Sequence, residues 1–490
     1  MRGARRAFPS PWVAGGSAVT DVLPPILADN GLALLAFKIG PNQFGLNRGL
    51  AYISMRDQVL RARTLVHAAV GARLFEQRPA TATGYADRRV DVDLTVIGGG
   101  VGGISVALAA AEAGITTLVV EKSKECFSLL QNGTDRLLST TVYDWPANHF
   151  NVHAFPVLPD TSPDVSSLSS ILHFPDKACS ARELADSLNG QVMAYERSHT
   201  STLHIERGME IPLDDGITWA GRGSLLVRVP RAIKLFGSSR KDFHTRAVVY
   251  AIGFGSEKVI TDGYAVDASF WGYQTIETDL ARFACTNAKV FIAGGGDGGL
   301  QEVLRFAFLP DYHDLSIAVK ALESAVGPDD RVWSEGLRDI MFAEDNAARA
   351  FMWGYRPELV FRELERVHER VIAKLLDPTD ARRQKAVIEW RDHVTRQQRV
   401  QITLYDPKPS GRVYALNRFL FRLLKSLSAV AAGSVTIDRM EREVPVGECD
   451  IFVDRRGISP IDAAYGTSTK EELLRRVMFR ALPNHYSVVA

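Results

Sequence analysis

Gly98-Gly99-Gly100-Val101-Gly102-Gly103 is the stretch whose residue types and spacing speak most directly of chemistry. An apolar run from Asp93 to Ile97 precedes it, an Ala-rich amphipathic stretch follows, and a second apolar run, Leu118-Val119-Val120, ends on Glu121. The order strand, tight turn, helix, strand, acid is the one that cradles a dinucleotide, with helix N-terminal amides on the pyrophosphate and the acid on a ribose. Gly98 permits the turn, Gly100 lets backbone amides approach the pyrophosphate, and Gly103 lets the helix pack on the strand. Lys122 follows the acid at the same sheet edge.

The signature recurs at Gly294-Gly295-Gly296-Asp297-Gly298-Gly299, after the apolar run Lys289 to Ala293 and before a helix expected over Leu300 to Phe308. Gly294, Gly296, Asp297 and Gly299 are its candidate contacts. Leu315-Ser316-Ile317-Ala318-Val319 reads as its next strand, and Lys320 follows where an acid would stand. A cation there would favour a 2′-phosphate, hence NADP over NAD, unless it is an ordinary solvated lysine.

Two further segments bear on the same edge. Ala247 to Gly255 is an apolar strand ending in Ala251-Ile252-Gly253-Phe254, where Gly253 would let backbone come close to a nucleotide or simply make the turn. The loop Thr140 to Phe150 falls after the second strand of the first unit, at the carboxyl edge where ligands bind in such sheets. Asp144 and His149 are its candidates for proton exchange with a substrate, and Trp145 would stack on an aromatic ligand. The same loop would equally serve to plug a core.

Positioning these residues requires a sizeable α/β body, and the composition supplies one. The chain has 490 residues, a net charge of +1, 46% hydrophobic and 23% charged residues, enough for two or three domains. Balanced charge favours a small-molecule substrate over nucleic acid, and no apolar run reaches the roughly 20 residues of a membrane span. The basic start, Met1 to Arg6, is broken by Pro9 and Pro11 and does not read as a signal peptide. Cys126, Cys179, Cys285 and Cys449 form no CxxC, so neither a metal site nor a redox dithiol is expected, and the expected compartment is cytoplasmic. Nothing in the chain fixes an oligomeric state.

Periodicity predicts a helix over Met55 to Leu74 within a helical N-terminal extension, residues 1–90, closed by a polar linker from Gln77 to Arg89. Ser180 to Tyr195 reads as a helix with Ser180 as N-cap. Short apolar segments between Thr202 and Val249 suggest an inserted antiparallel layer. From Arg331 to Leu427 helical spacing dominates, over Leu337 to Met352, Glu358 to Leu376, Ala381 to Gln398 and Tyr414 to Ala429. Its arginines alternate with acids, as on solvated helix faces. Strand character returns at Ser434 to Ile437 and Cys449 to Pro460, and Leu473 to Leu482 reads as a closing helix.

On these residues the chain resembles the two-dinucleotide-binding-domain flavoproteins. Gly98 to Glu121 is similar to their FAD-binding motif, Val248 to Gly253 to their Ala-Thr-Gly strand with Ile252 for Thr, and Gly294 to Gly299 to the pyridine-nucleotide segment of thioredoxin-reductase-like enzymes. Asp450 to Pro460 resembles the strand that leads back to the flavin domain. The resemblance implies an α/β fold: a Rossmann-type FAD-binding domain (91–284, with the antiparallel insertion), a second, NAD(P)-binding and helical domain (285–448), and a C-terminal return to the FAD domain (449–490). It implies FAD and NAD(P)H as cofactors and oxidoreductase chemistry on a small organic substrate. Phe254 resembles the aromatic of flavin monooxygenases, whereas their FxGxxxH fingerprint, a redox CxxC and a His-Arg-Arg NADP signature are absent. A flavin-contacting Gly-Asp is not evident near the C-terminus, and Gly296-Asp297 would serve as that element in a protein with FAD alone. An FAD-only oxidase or dehydrogenase, and a nucleotide-binding sensor or scaffold without turnover, are the alternatives.

Overall fold

The computed structural model describes residues 34, 37–46, 55–75, 90–133, 136–139, 142, 145–146, 172–175, 177–212, 216–221, 224–235, 237–253, 270–272, 275–283, 287–352, 357–406, 413–442 and 448–456. The first unit opens with β1 (Lys38–Gly40), β2 (Gln43–Gly45) and helix α1 (Met55–Gly71). Then come β3 (Val92–Ile97), α2 (Val101–Glu112), β4 (Thr117–Glu121) and the short helix α3 (Ser128–Gln131). The strands β5 (Leu137–Leu138) and β6 (Cys179–Ser180) form a small pair ahead of α4 (Ala181–Ser198) and β7 (Leu203–Arg207). An arm of β8 (Ile217–Gly221), β9 (Ser224–Leu235) and β10 (Ser238–Tyr250) ends the unit.

The main sheet runs β1-β2-β10-β3-β4-β7. From β2 to β7 every neighbour is parallel, with Val96 beside Val119 and Val249, and Val119 beside Ile205. Helix α2 covers one face and the β8–β10 arm the other, so β3 and β4 are buried almost throughout and read as continuous apolar runs rather than alternating ones.

Two expectations change here. Leu203–Arg207 belongs to the parallel sheet and not to the antiparallel layer, because α4 is the crossover that returns the chain alongside β4. The helix at Met55–Gly71 forms, but the preceding residues are not wholly helical: β2 lies parallel to β10 and extends the main sheet. Strands of three residues are too short to leave a periodicity.

The second unit begins at α5 (Ile276–Ala281), β11 (Ala288–Ala293) and α6 (Asp297–Ala307). A helical block follows: α7 (Leu315–Val326), α8 (Arg331–Met352), α9 (Pro357–Leu375) and α10 (Ala381–Val394). Then β12 (Val400–Tyr405), α11 (Ala415–Val430), β13 (Val435–Met440) and β14 (Ile451–Asp454) close the described chain. The sheet order is β13-β12-β11-β14, all parallel, which is the 3-2-1-4 order of a dinucleotide-binding half.

Leu315–Val319, expected as a strand, is the first part of α7. Asp314 caps it by accepting from Ser316 N at 3.0 Å, and Leu315, Ala318, Val319 and Leu322 are buried. Lys320 is therefore an exposed helix residue and not a strand-end cation. The helix expected to Gln398 ends at Val394, and Val400–Tyr405 becomes the second strand of the unit. The C-terminal strand β14 pairs with β11 and completes the second sheet, whereas the place beside β10 in the first sheet is taken by β2. Residues 451–454 of the expected C-terminal return thus lie in the second sheet, and residues 457–490, with the helix expected over Leu473 to Leu482, lie outside the described residues.

Candidate nucleotide-binding sites

The two glycine stretches form the same local structure. The first turn has Gly98 at φ +108°, and a Cβ there would lie 2.4 Å from the Ala251 carbonyl oxygen at the end of β10. The second has Gly294 at φ +123°, where a Cβ would lie 2.0 Å from the Arg455 carbonyl oxygen at the end of β14. At Gly103 and Gly299 the corresponding Cβ would lie 1.9 and 1.7 Å from the carbonyl oxygens of Gly98 and Gly294, which is the close helix-on-strand packing that only glycine allows. Gly100 and Gly296 are the N-caps of α2 and α6 with nearly identical backbone angles, and a Cβ on either would meet nothing within 4 Å. Each cradle therefore presents helix N-terminal amides to open space, the geometry that receives a pyrophosphate.

Each cradle also has an acid at the end of its second strand. Glu121, buried at 6% exposure, accepts from Gly99 N and Ser123 N, and a Cβ on Gly99 would lie 3.0 Å from its carboxylate. In the second cradle the acid is Asp406, which follows β12: a Cβ on Gly295 would lie 2.3 and 2.5 Å from its carboxylate oxygens. Asp406 is 5% exposed, and its Oδ2 accepts from Arg439 Nη2 at 2.6 Å. Sequence reasoning missed it, because the helical block separates it from its glycines. The signal was the alternating run Val400-Gln401-Ile402-Thr403-Leu404-Tyr405 ahead of an acid.

The other expected site residues are placed as follows. Lys122 is exposed beside Glu121. Gly253 adopts φ +79°, and a Cβ there would meet nothing within 4 Å. Asp297 does not face the cradle alone: its Oδ1 accepts from Tyr414 N and Asn417 Nδ2, both at 2.8 Å, and so anchors the start of α11. Asp144 and His149 lie outside the described residues, as does Phe254. Trp145 is buried with its ring centroid 5.2 Å from that of Phe419, packed on the second unit. Among the described residues there is no group of three or more His, Cys, Asp or Glu placed to hold a metal, and no helix long and apolar enough to cross a membrane.

A buried ionic cluster joins the two units at the second cradle. Glu302 on α6 is fully buried and bonds to Arg136 Nη2 at 2.6 Å, Arg455 Nη2 at 2.9 Å and Arg305 Nη1 at 3.1 Å. Arg136 belongs to the first unit, where its carbonyl accepts from Ala181 N, and its guanidinium stacks 3.6 Å from the Phe270 ring centroid. Burial alone would raise the Glu302 carboxyl, but the three guanidiniums outweigh it and hold the group at about 2.

One comparison with known proteins falls on the first cradle. Residues 93–140 match the model of the FAD binding domain. No curated protein matches the chain. Among solved structures, a variant of the flavin monooxygenase from Stenotrophomonas maltophilia is 20% identical, over 44% of this chain and 54% of that one, with a TM-score of 0.27. Thioredoxin reductase from Lactococcus lactis is 14% identical, over 44% of this chain and 52% of that one, with a TM-score of 0.24. OTEMO in complex with FAD and NADP is 12% identical, over 77% of this chain and 73% of that one, with a TM-score of 0.34. The chain thus spans about half the length of the first two. The matched segment lies in the first of two α/β units, each of which carries a glycine cradle of the dinucleotide-binding kind.

Proposed function

We propose that this chain is an FAD-dependent oxidoreductase that draws reducing equivalents from NADH. The observation that carries the reading is the repetition of one cradle, glycine for glycine and acid for acid, on two sets of four parallel strands in the same 3-2-1-4 order. The first cradle, with Gly98, Gly100, Gly103 and Glu121, lies in the segment that matches the FAD binding domain. The second, with Gly294, Gly296, Gly299 and Asp406, takes the nicotinamide nucleotide. Bound together, the two cofactors supply hydride transfer; the chain's residues bind, orient and screen them.

Asp406 favours NADH. A strand-end carboxylate receives the 2′-hydroxyl of an adenosine ribose and repels a 2′-phosphate. Arg439, bonded to Asp406, holds that carboxylate in place. The substrate is a small organic molecule, and the Ala251-Ile252-Gly253-Phe254 sequence supports oxygenation of it over simple reduction.

The test is the visible spectrum of the purified protein before and after anaerobic addition of NADH and then NADPH. The reading expects flavin bands that NADH bleaches and NADPH bleaches more slowly. Flavin bands that persist with both would remove the nicotinamide role from the second cradle, and a colourless protein that FAD cannot reconstitute would overturn the flavoprotein reading. Oxygen uptake that requires NADH and stays coupled to substrate separates an oxygenase from a reductase.

A further inference from the structure

Gln58 lies outside the glycine motif and outside residues 93–140, yet its side chain reaches the first cradle. Its Oε1 accepts a hydrogen bond from Gly102 N, in the first turn of α2, at 3.2 Å. A Cβ on Gly102 would lie 3.2 Å from that same oxygen and 2.5 Å from Leu46 Cδ2, so the glycine makes room for both side chains. Because Gly102 N can only donate, the oxygen end of the carboxamide is fixed on it, and the Nε2 end is left with two N–H donors.

The segment that carries Gln58 is built into the cofactor domain. Phe44 on β2 stands beside Val249 in the parallel sheet, and Leu46 N donates to Tyr250 O at 3.0 Å. Arg61, one turn after Gln58, donates Nε to Leu46 O at 3.1 Å with its guanidinium 4.8 Å from the Phe37 ring centroid. Met55, Val59, Ala62, Leu65 and Val66 of α1 share a core with Val101, Ile104 and Ala107 of α2. The position of Gln58 is therefore set by the same packing that sets the α2 N-terminus.

We propose that Gln58 is a further positioning residue for FAD, whose carboxamide bridges Gly102 N to the pyrophosphate and makes helix α1 part of the flavin site. A neutral amide suits the place: it accepts from the helix amide and donates to the anion, whereas a carboxylate would accept from one and repel the other. The inference rests on the reading of the first cradle as the FAD site.

The experiment is titration of FAD into full-length apo-protein, followed by flavin fluorescence, for wild type, Gln58→Ala and Gln58→Glu, with displacement by ADP and by adenosine. Gln58→Ala is expected to weaken FAD about tenfold, the size of one hydrogen bond to a charged group. ADP should lose the same factor as a competitor, and adenosine, which lacks the pyrophosphate, should lose none. Gln58→Glu should weaken FAD further, with a deficit that shrinks as salt is added. Apo Gln58→Ala should melt slightly lower for the lost bond to Gly102 N, and the contrast between ADP and adenosine separates that loss from a contact with the anion. FAD affinity unchanged or raised in Gln58→Ala, or equal losses for ADP and adenosine, overturns the proposal while leaving the flavin site intact. Wild-type protein that binds no FAD overturns the flavin reading itself, and the proposal with it.

Discussion

The carboxylate of Asp406 occupies the space that a side chain at Gly295 would need: a Cβ there would lie 2.2 Å from the Asp406 carboxyl carbon. Glu121 stands over Gly99 in the same relation, at 3.0 Å. The glycine between the turn and the helix cap thus leaves room for an acid from the neighbouring strand, and its presence in both cradles ties each motif to one strand-end carboxylate.

Replacing Asp406 by Ser removes the charge that opposes a 2′-phosphate and frees Arg439 to meet one. NADPH binding should tighten and NADH binding weaken, each by about tenfold, the value of one charge-assisted contact. Dissociation constants for the two nucleotides, measured on the FAD-loaded protein, check this. A variant that keeps its preference for NADH would remove Asp406 from the ribose role.

How far this was legible in the sequence follows from where chain neighbours and spatial neighbours coincide. Gly98 to Glu121 was readable because strand, turn, helix, strand and acid are consecutive, with the acid about 20 residues after the glycines. The second cradle shows the same glycines, but its helix α6 runs on into α7 through α10 before β12 arrives, so the acid was sought at Lys320 and lay at Asp406. Ser180 was readable as a cap because its capping box with Glu183 is local. The link between Arg136 and Glu302, and the placing of β2 beside β10, depend on how distant parts of the chain pack, and no local pattern announces them.

The cradle glycines separate folding from binding. Gly103→Ala would put a methyl group 1.9 Å from the Gly98 carbonyl oxygen and 3.1 Å from Ala251 Cβ, so α2 must move off β3. A loss of about 2–4 kcal/mol of stability is expected from such overpacking. Gly100→Ala meets nothing within 4 Å and should melt like the wild type, but its methyl group enters the space for the pyrophosphate and should lower FAD retention. The paired variants Gly299→Ala and Gly296→Ala should repeat the contrast, the second keeping flavin while losing its bleaching by NADH. Thermal melting alongside the flavin-to-protein absorbance ratio gives the result. Equal melting of Gly100→Ala and Gly103→Ala would contradict the packing argument.

Glu302→Gln should be costly although it changes no shape. It removes the buried negative charge that Arg136, Arg305 and Arg455 share, and about 3–5 kcal/mol of stability should be lost in urea denaturation. Because Arg136 is tied to α4 and Glu302 lies on α6, the variant should also loosen the two units from each other, read as faster amide exchange around Arg136 and Ala181 than around Val96. The Glu302 carboxyl is held at about 2, below its ordinary value, so its contribution is present in full above about pH 5 and fades as the pH falls toward 2.

His368 produces a separate loss of stability at milder acidity. It is fully buried on α9, with Nε2 3.6 Å from Glu344 Oε1 and its ring centroid 6.3 Å from that of Phe419. Burial pushes it down to about 4, with Arg418 adding to the effect and Glu344 opposing it. The unfolded chain therefore takes up a proton near pH 6.5 that the folded chain refuses until about pH 4. Stability is full above pH 6.5 and falls through that window, by up to about 3 kcal/mol for this one residue. His313, also pushed down to about 4 by burial, acts in the same direction, so the wild-type slope reflects both. His368→Phe keeps a buried ring and removes the proton site. Urea unfolding of wild type and variant at several pH values between 7 and 4 should show the variant with the shallower decline as the pH falls. Parallel curves would mean that His368 takes up its proton at its ordinary pH in the folded protein, Glu344 offsetting burial, and would overturn burial as the dominant influence on it.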